Sequence, residues 1–127
     1  MCWDGSDLSA RVVPAAARWA ADLDLGVRLL TITPPGDASP LYGSDGEPTA
    51  QVDQLVAVLG GGTRKVQLTE LFAADPARAI ATFIDERPIG LVALCTRGRG
   101  GLASSSLGTI AAKVVQLSPR PVLVQPA

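Results

Sequence analysis

Residues 89–109 read Ile-Gly-Leu-Val-Ala-Leu-Cys-Thr-Arg-Gly-Arg-Gly-Gly-Leu-Ala-Ser-Ser-Ser-Leu-Gly-Thr. The first third, Ile89–Cys95, is apolar at nearly every position, the mark of a strand buried on both faces. Arg97–Leu107 is a loop of glycine, serine and arginine. From Thr109 to Leu117 the apolar residues Ile110, Val114 and Leu117 recur at helical spacing and are expected to face inward. A buried strand, a glycine-rich loop and a helix form half of a βαβ unit. The rest of the chain repeats the alternation.

Downstream, Pro121–Gln125 is a short apolar run, hence a last strand. Upstream, Asp75-Pro76 opens a helix as a cap followed by proline. Ala77, Ile80, Phe83 and Ile84 form the stripe that it buries. Lys65–Leu68 reads as a short strand. Before it, Val52, Leu55, Val56 and Leu59 mark a helix that ends at Gly60-Gly61-Gly62. Pro34–Pro48, rich in Pro, Gly, Ser and Asp, reads as a mobile loop. Val27–Thr33 is a β-branched and leucine-rich strand. The first helix carries Leu8, Val12, Ala15, Trp19 and Leu23, with Ser6 or Asp7 as cap and Gly26 as stop. Pro14 inside it is expected to cost a hydrogen bond or add a kink. Met1–Asp4 is left as a strand stub, closed by the turn Asp4-Gly5-Ser6. Strands alternating with helices imply a parallel sheet covered on both faces, in one domain over residues 1–127. The stub is read two ways, as the remainder of a longer parent chain or as a short strand in its own right.

The bulk numbers narrow the chemistry. In 127 residues, 47% are hydrophobic but only 4% aromatic, so the core is built from Ala, Val, Leu and Ile. Eleven basic and twelve acidic residues leave a net charge of −1, which gives no basic footprint for nucleic acid or an anionic membrane. No apolar run approaches the roughly 20 residues that span a bilayer. The two cysteines, Cys2 and Cys95, form neither a metal spacing nor a disulfide framework, so the expected setting is cytoplasmic. Histidine is absent, which removes serine–histidine and cysteine–histidine nucleophiles and histidine-ligated zinc. Of the tryptophans, Trp19 is assigned to the core and Trp3 is left open. Cys95 is read first as a small hydrophobe.

In an open α/β sheet, ligands sit at the carboxyl ends of the strands, where the strand order reverses. Asp4-Gly5-Ser6 and the loop from Thr96 to Thr109 belong there. Glycines in that loop let backbone amides approach a ligand closely. Gly108-Thr109 opens a helix, whose unpaired N–H groups suit a phosphate. Arg97 and Arg99 supply positive charge, and Ser104, Ser105 and Ser106 further hydroxyls. The same composition also fits a plain glycine-rich connection with solvated arginines.

The run from Thr96 to Leu102, then Gly108-Thr109, then Pro121-Val122-Leu123-Val124 resembles the C-terminal half of universal stress proteins. Asp4-Gly5-Ser6 with Ser9 resembles their opening, and Asp75-Pro76-Ala77 with Ile80 their third helix. The resemblance implies a doubly wound open sheet of strand order 3-2-1-4-5, counting Met1–Asp4 as strand 1. It also implies a stress-response module that binds ATP with Mg²⁺ and acts by binding rather than turnover, with weak hydrolysis as a possibility the residues do not reveal. The family motif is Gly, two residues, Gly, nine residues, then Gly with Ser or Thr. Gly98, Gly108 and Thr109 fill its later positions, while Cys95 stands at the first glycine. Asp4 and Ile32 fall at the adenine and ribose contacts. Pro121–Gln125, an apolar edge with nothing after it to cover it, implies a homodimer through Val122, Leu123 and Val124. The alternative is a nucleotide-free dimeric interaction module. A phosphotransferase or ligase on a related fold is a more distant reading, disfavoured by the absence of lysine from the glycine loop.

Overall fold

A computed structural model describes residues 1–96 and 109–126. Strand β1 (Val27–Thr33) pairs in parallel with β2 (Val66–Phe72), from Val27 opposite Val66 to Thr33 opposite Phe72. Strand β3 (Val92–Cys95) pairs in parallel with β4 (Val122–Gln125). Residues 1–3 join the two pairs. Leu30 N donates to Met1 O (2.8 Å), Trp3 N donates to Leu30 O (2.9 Å), and Cys2 N donates to Ala93 O (2.9 Å). The three-residue stub therefore has β1 on one side and β3 on the other.

The sequence placed β2 at Lys65–Leu68, but it runs on to Phe72. Thr69 and Glu70 look like loop residues by composition, yet the register with β1 carries through them, and Ala73 N donates to Thr33 O at 3.1 Å. In the opposite sense, β3 is shorter than expected and starts at Val92 rather than Ile89.

Among the described residues four α-helices accompany the strands: α1 (Val13–Leu23), α2 (Ala50–Gly60), α3 (Pro76–Asp85) and α4 (Thr109–Leu117). Thr49 caps α2 by accepting from Val52 N (3.2 Å), and Asp75 caps α3 by accepting from Arg78 N (3.3 Å). Pro14 neither kinks nor breaks a helix. A 3₁₀ turn at Ser9–Val12 precedes α1, so Pro14 falls in the first helical turn, where no intrahelical bond is lost. Asp24, not Gly26, takes the left-handed closing position (φ 53°), with Leu25 N bonded back to Ala20 O at 2.8 Å.

The apolar residues divide into two clusters, one on each face of the strands. Trp3, Val12, Ala16, Leu29, Val52 and Leu59 belong to the first, under α1 and α2. Leu30, Ile80, Phe83, Leu94, Ala111 and Val114 belong to the second, under α3 and α4. Each fully buried aliphatic side chain contributes about 1.5–3 kcal/mol. The α3 stripe falls where the spacing put it, with Ala77, Ile80, Phe83 and Ile84 all buried. So does the α2 stripe, with Val52, Leu55 and Leu59 buried and Val56 packed against the same cluster, whereas the stripes of α1 and α4 are rotated. In α1 the buried positions are Val13, Ala16 and Ala20, while Trp19 and Leu23 face outward. Trp19 is 44% exposed, whereas Trp3 is 2% exposed, so the core tryptophan is Trp3. In α4, Ala111 and Val114 are buried, and Ile110 and Leu117 are exposed. Small alanines, Ala16 and Ala111, take the cluster-facing positions in both helices. The loop at 34–48 is anchored rather than loose. Leu41 is fully buried, Tyr42 bridges Pro48, and Gly43 N donates to Glu47 O at 2.8 Å.

Candidate functional site

The parallel strands bring their carboxyl ends to one edge. There the stub turns at Asp4. One carboxylate oxygen of Asp4 accepts from Ser6 N (2.9 Å) and from Ser9 Oγ (2.7 Å). Ser6 Oγ accepts from Ser9 N (3.1 Å), which makes Ser6 the local cap for the turn that follows. Trp3 Nε1 donates to Ser6 O (3.1 Å) from inside the core. Buried Ser9 thus bonds the Asp4 carboxylate directly, while the indole holds the Ser6 carbonyl of the same turn.

Register places the remaining candidates. Cys2 bridges Leu30, so two residues further on Asp4 comes level with Ile32 on β1. On the other side Cys95 and Thr96 end β3, with Thr96 N donating to Gln125 O at 2.9 Å. Ile32 is half-buried against the α3–α4 cluster. Cys95 is 6% exposed and packs in the other cluster with Trp3 and Ala93, as the small hydrophobe that composition suggested. Thr109 is exposed at the first turn of α4. Arg97, Gly98, Arg99, Ser104, Ser105, Ser106 and Gly108 lie outside the described residues. Val122, Leu123 and Val124 are half-buried along β4, whose one described strand partner is β3. Among the described residues there is no cluster of three or more His, Cys, Asp or Glu able to hold a metal. No described helix is long and apolar enough to cross a membrane.

Two features of this edge escaped sequence reading. Thr33, buried at the end of β1, donates its hydroxyl to the Glu70 carboxylate across the β1–β2 register. Thr31, two positions earlier, is buried with no hydrogen-bond partner for its Oγ1. The signal was available: Thr31 and Thr33 are polar residues set among the aliphatic Leu29, Leu30 and Ile32. In a β-branched run, however, threonine reads as strand propensity rather than as a polar group.

The family model for the universal stress protein family matches residues 1–126. The chain is 28% identical to universal stress protein YxiE of Bacillus subtilis (strain 168), over 95% of this chain and 93% of that one. It is also 28% identical to universal stress protein MJ0531 of Methanocaldococcus jannaschii, over 95% of this chain and 76% of the relative. Among solved structures, a universal stress protein in complex with cAMP superposes with a TM-score of 0.74 at 24% identity, covering 98% of this chain and 91% of the other.

Proposed function

The chain belongs to the universal stress protein family, and from that premise we propose that it binds an adenine nucleotide at the carboxyl ends of its strands. It acts by binding and by pairing with a second copy, in a cytoplasmic setting. The observation that carries this reading is the fixed Asp4 carboxylate, level with Ile32 and beside the end of β3. A carboxylate held by a backbone N–H and a buried hydroxyl is pre-oriented to accept from a ribose or adenine donor. The fold neighbour complexed with cAMP agrees with that ligand class.

The strand order proposed is 3-2-1-4-5, with residues 1–3 as the central strand. That order puts the reversal point beside Asp4 and Thr96, where such sheets take ligands. Gly98, Gly108 and Thr109 are assigned to the phosphates, with Arg97 offsetting charge. Thr109, exposed at the start of α4, fits a phosphate-side hydroxyl. Mg²⁺ would arrive with the nucleotide and neutralise its phosphates. The cysteine at the first motif glycine is compatible with this reading, because its side chain packs into the core rather than outward. Val122, Leu123 and Val124 form the proposed dimer edge.

Isothermal titration with ATP, ADP, AMP and cAMP, each with Mg²⁺, tests the assignment. Micromolar binding that is lost in Asp4→Ala supports it. No heat at millimolar nucleotide would turn the reading to the nucleotide-free dimeric module. For the dimer, Val124→Lys is the cleanest change, since Val122 and Leu123 also pack against the core clusters. A mass of one chain at micromolar concentration removes the dimer.

A further inference from the structure

A cavity of about 420 Å³ opens at the opposite edge, among the amino ends of the strands. Its apolar surface comes from Ala16, Ala20, Ile89 and Leu91, with half-exposed Trp19 on the wall. Arg28, Lys65 and Arg87 also line it, and no carboxylate does. The guanidiniums of Arg28 and Arg87 both stand over the Phe83 ring, at 5.4 and 4.9 Å from its centre. Arg28 Nη1 donates to the neutral hydroxyl of Thr69 at 2.7 Å. Among the described residues the one ion pair is Arg78 with Asp75, so none of the three cations is neutralised by a carboxylate within 4 Å. Like charges gathered at an apolar hollow lower one another's stability and favour an anion. The volume falls in the range of small-molecule sites, about 300–1,000 Å³.

We propose that this cavity is a second binding site, for a small organic anion that joins one carboxylate to an apolar body. The charged group sits toward Lys65 and Arg87, and the apolar body lies against Ala16, Ala20 and Trp19. Gly26 and Gly90 line the cavity, and an added Cβ at either meets no atom within 4 Å, so there is room for a side chain at these positions.

The test is calorimetric titration with octanoate, 1-octanol and octylammonium. Octanoate should bind once per chain, octanol about tenfold more weakly or less, and octylammonium not at all. The double variant Lys65→Glu/Arg87→Glu should weaken octanoate at least about tenfold. Gly26→Leu should do the same by filling the hollow with the cations intact, and it carries the test if the charge variant fails to fold. Saturating ATP should leave octanoate binding unchanged. The proposal is overturned by no octanoate binding at millimolar concentration, by equal binding of octanol, or by displacement with ATP. Octanoate affinity unmoved in either folded variant overturns it as well.

Discussion

The two edges of one sheet handle charge in opposite ways. At the carboxyl edge, Asp4 is met by donors from its own turn, the Ser6 amide and the Ser9 hydroxyl, and Glu70 by the Thr33 hydroxyl of the neighbouring strand. At the amino edge, Arg28, Lys65 and Arg87 converge with no carboxylate among them. The first arrangement fixes side-chain geometry before any ligand arrives, and the second leaves net charge for a ligand to offset. The difference follows from the chain path. The turn at Asp4 is local, so three serine and aspartate side chains within six residues complete one another. The amino edge gathers residues far apart in sequence, which meet only because parallel strands start together.

The two tryptophans mark the two edges and give the largest expected contrast. Trp3 is buried and bonded to the carboxyl-edge turn, so Trp3→Ala should cost about 3–5 kcal/mol in denaturant unfolding. Trp19 lines the amino-edge cavity at 44% exposure, and Trp19→Ala should stay within about 0.5 kcal/mol. Similar losses at both positions would break the contrast. Next, Asp4→Ala removes a charge-assisted pair of hydrogen bonds and should lower stability by about 1.5–3 kcal/mol. Lys65→Ala at the other edge should cost almost nothing by the same measurement, since Lys65 is exposed.

A smaller effect of opposite sign is expected at Gly26. Its φ is not in the left-handed region and its Cβ position is open, so Gly26→Ala should stabilise by about 0.4–1 kcal/mol. The mildest expectation is a pH slope from the stub. Burial pushes the Cys2 thiol above its usual 9.0. Its contribution to stability is therefore complete below pH 9.0 and is lost as pH rises toward the higher folded value. Burial and, secondarily, Arg28 lower the Met1 ammonium below 8.0, so that group contributes above pH 8.0 and its contribution is lost as pH falls through the folded value. Thermal melts across pH 6–10 should show a shallow maximum between those limits, and Cys2→Ser should flatten its alkaline side.

Alternation of apolar strands with capped helices was enough to determine an α/β parallel architecture with helices on both faces. Local signals did it: Asp75-Pro76 at a helix start, an aliphatic run at Val27–Thr33, and the four-residue stripe of α3. The Asp4 turn was legible for the same reason, since its partners Ser6 and Ser9 are adjacent in sequence. What the sequence misjudged depended on distance. Whether Trp19 enters the core turns on the rotation of α1 about its axis, which buries Val13, Ala16 and Ala20 and leaves Trp19 outward. The length of β2 depends on β1 alongside it, whose register carries through Thr69 and Glu70. The amino-edge cavity has no sequence signature, because Arg28, Lys65 and Arg87 become neighbours only when three separate strand and helix ends are brought to one edge.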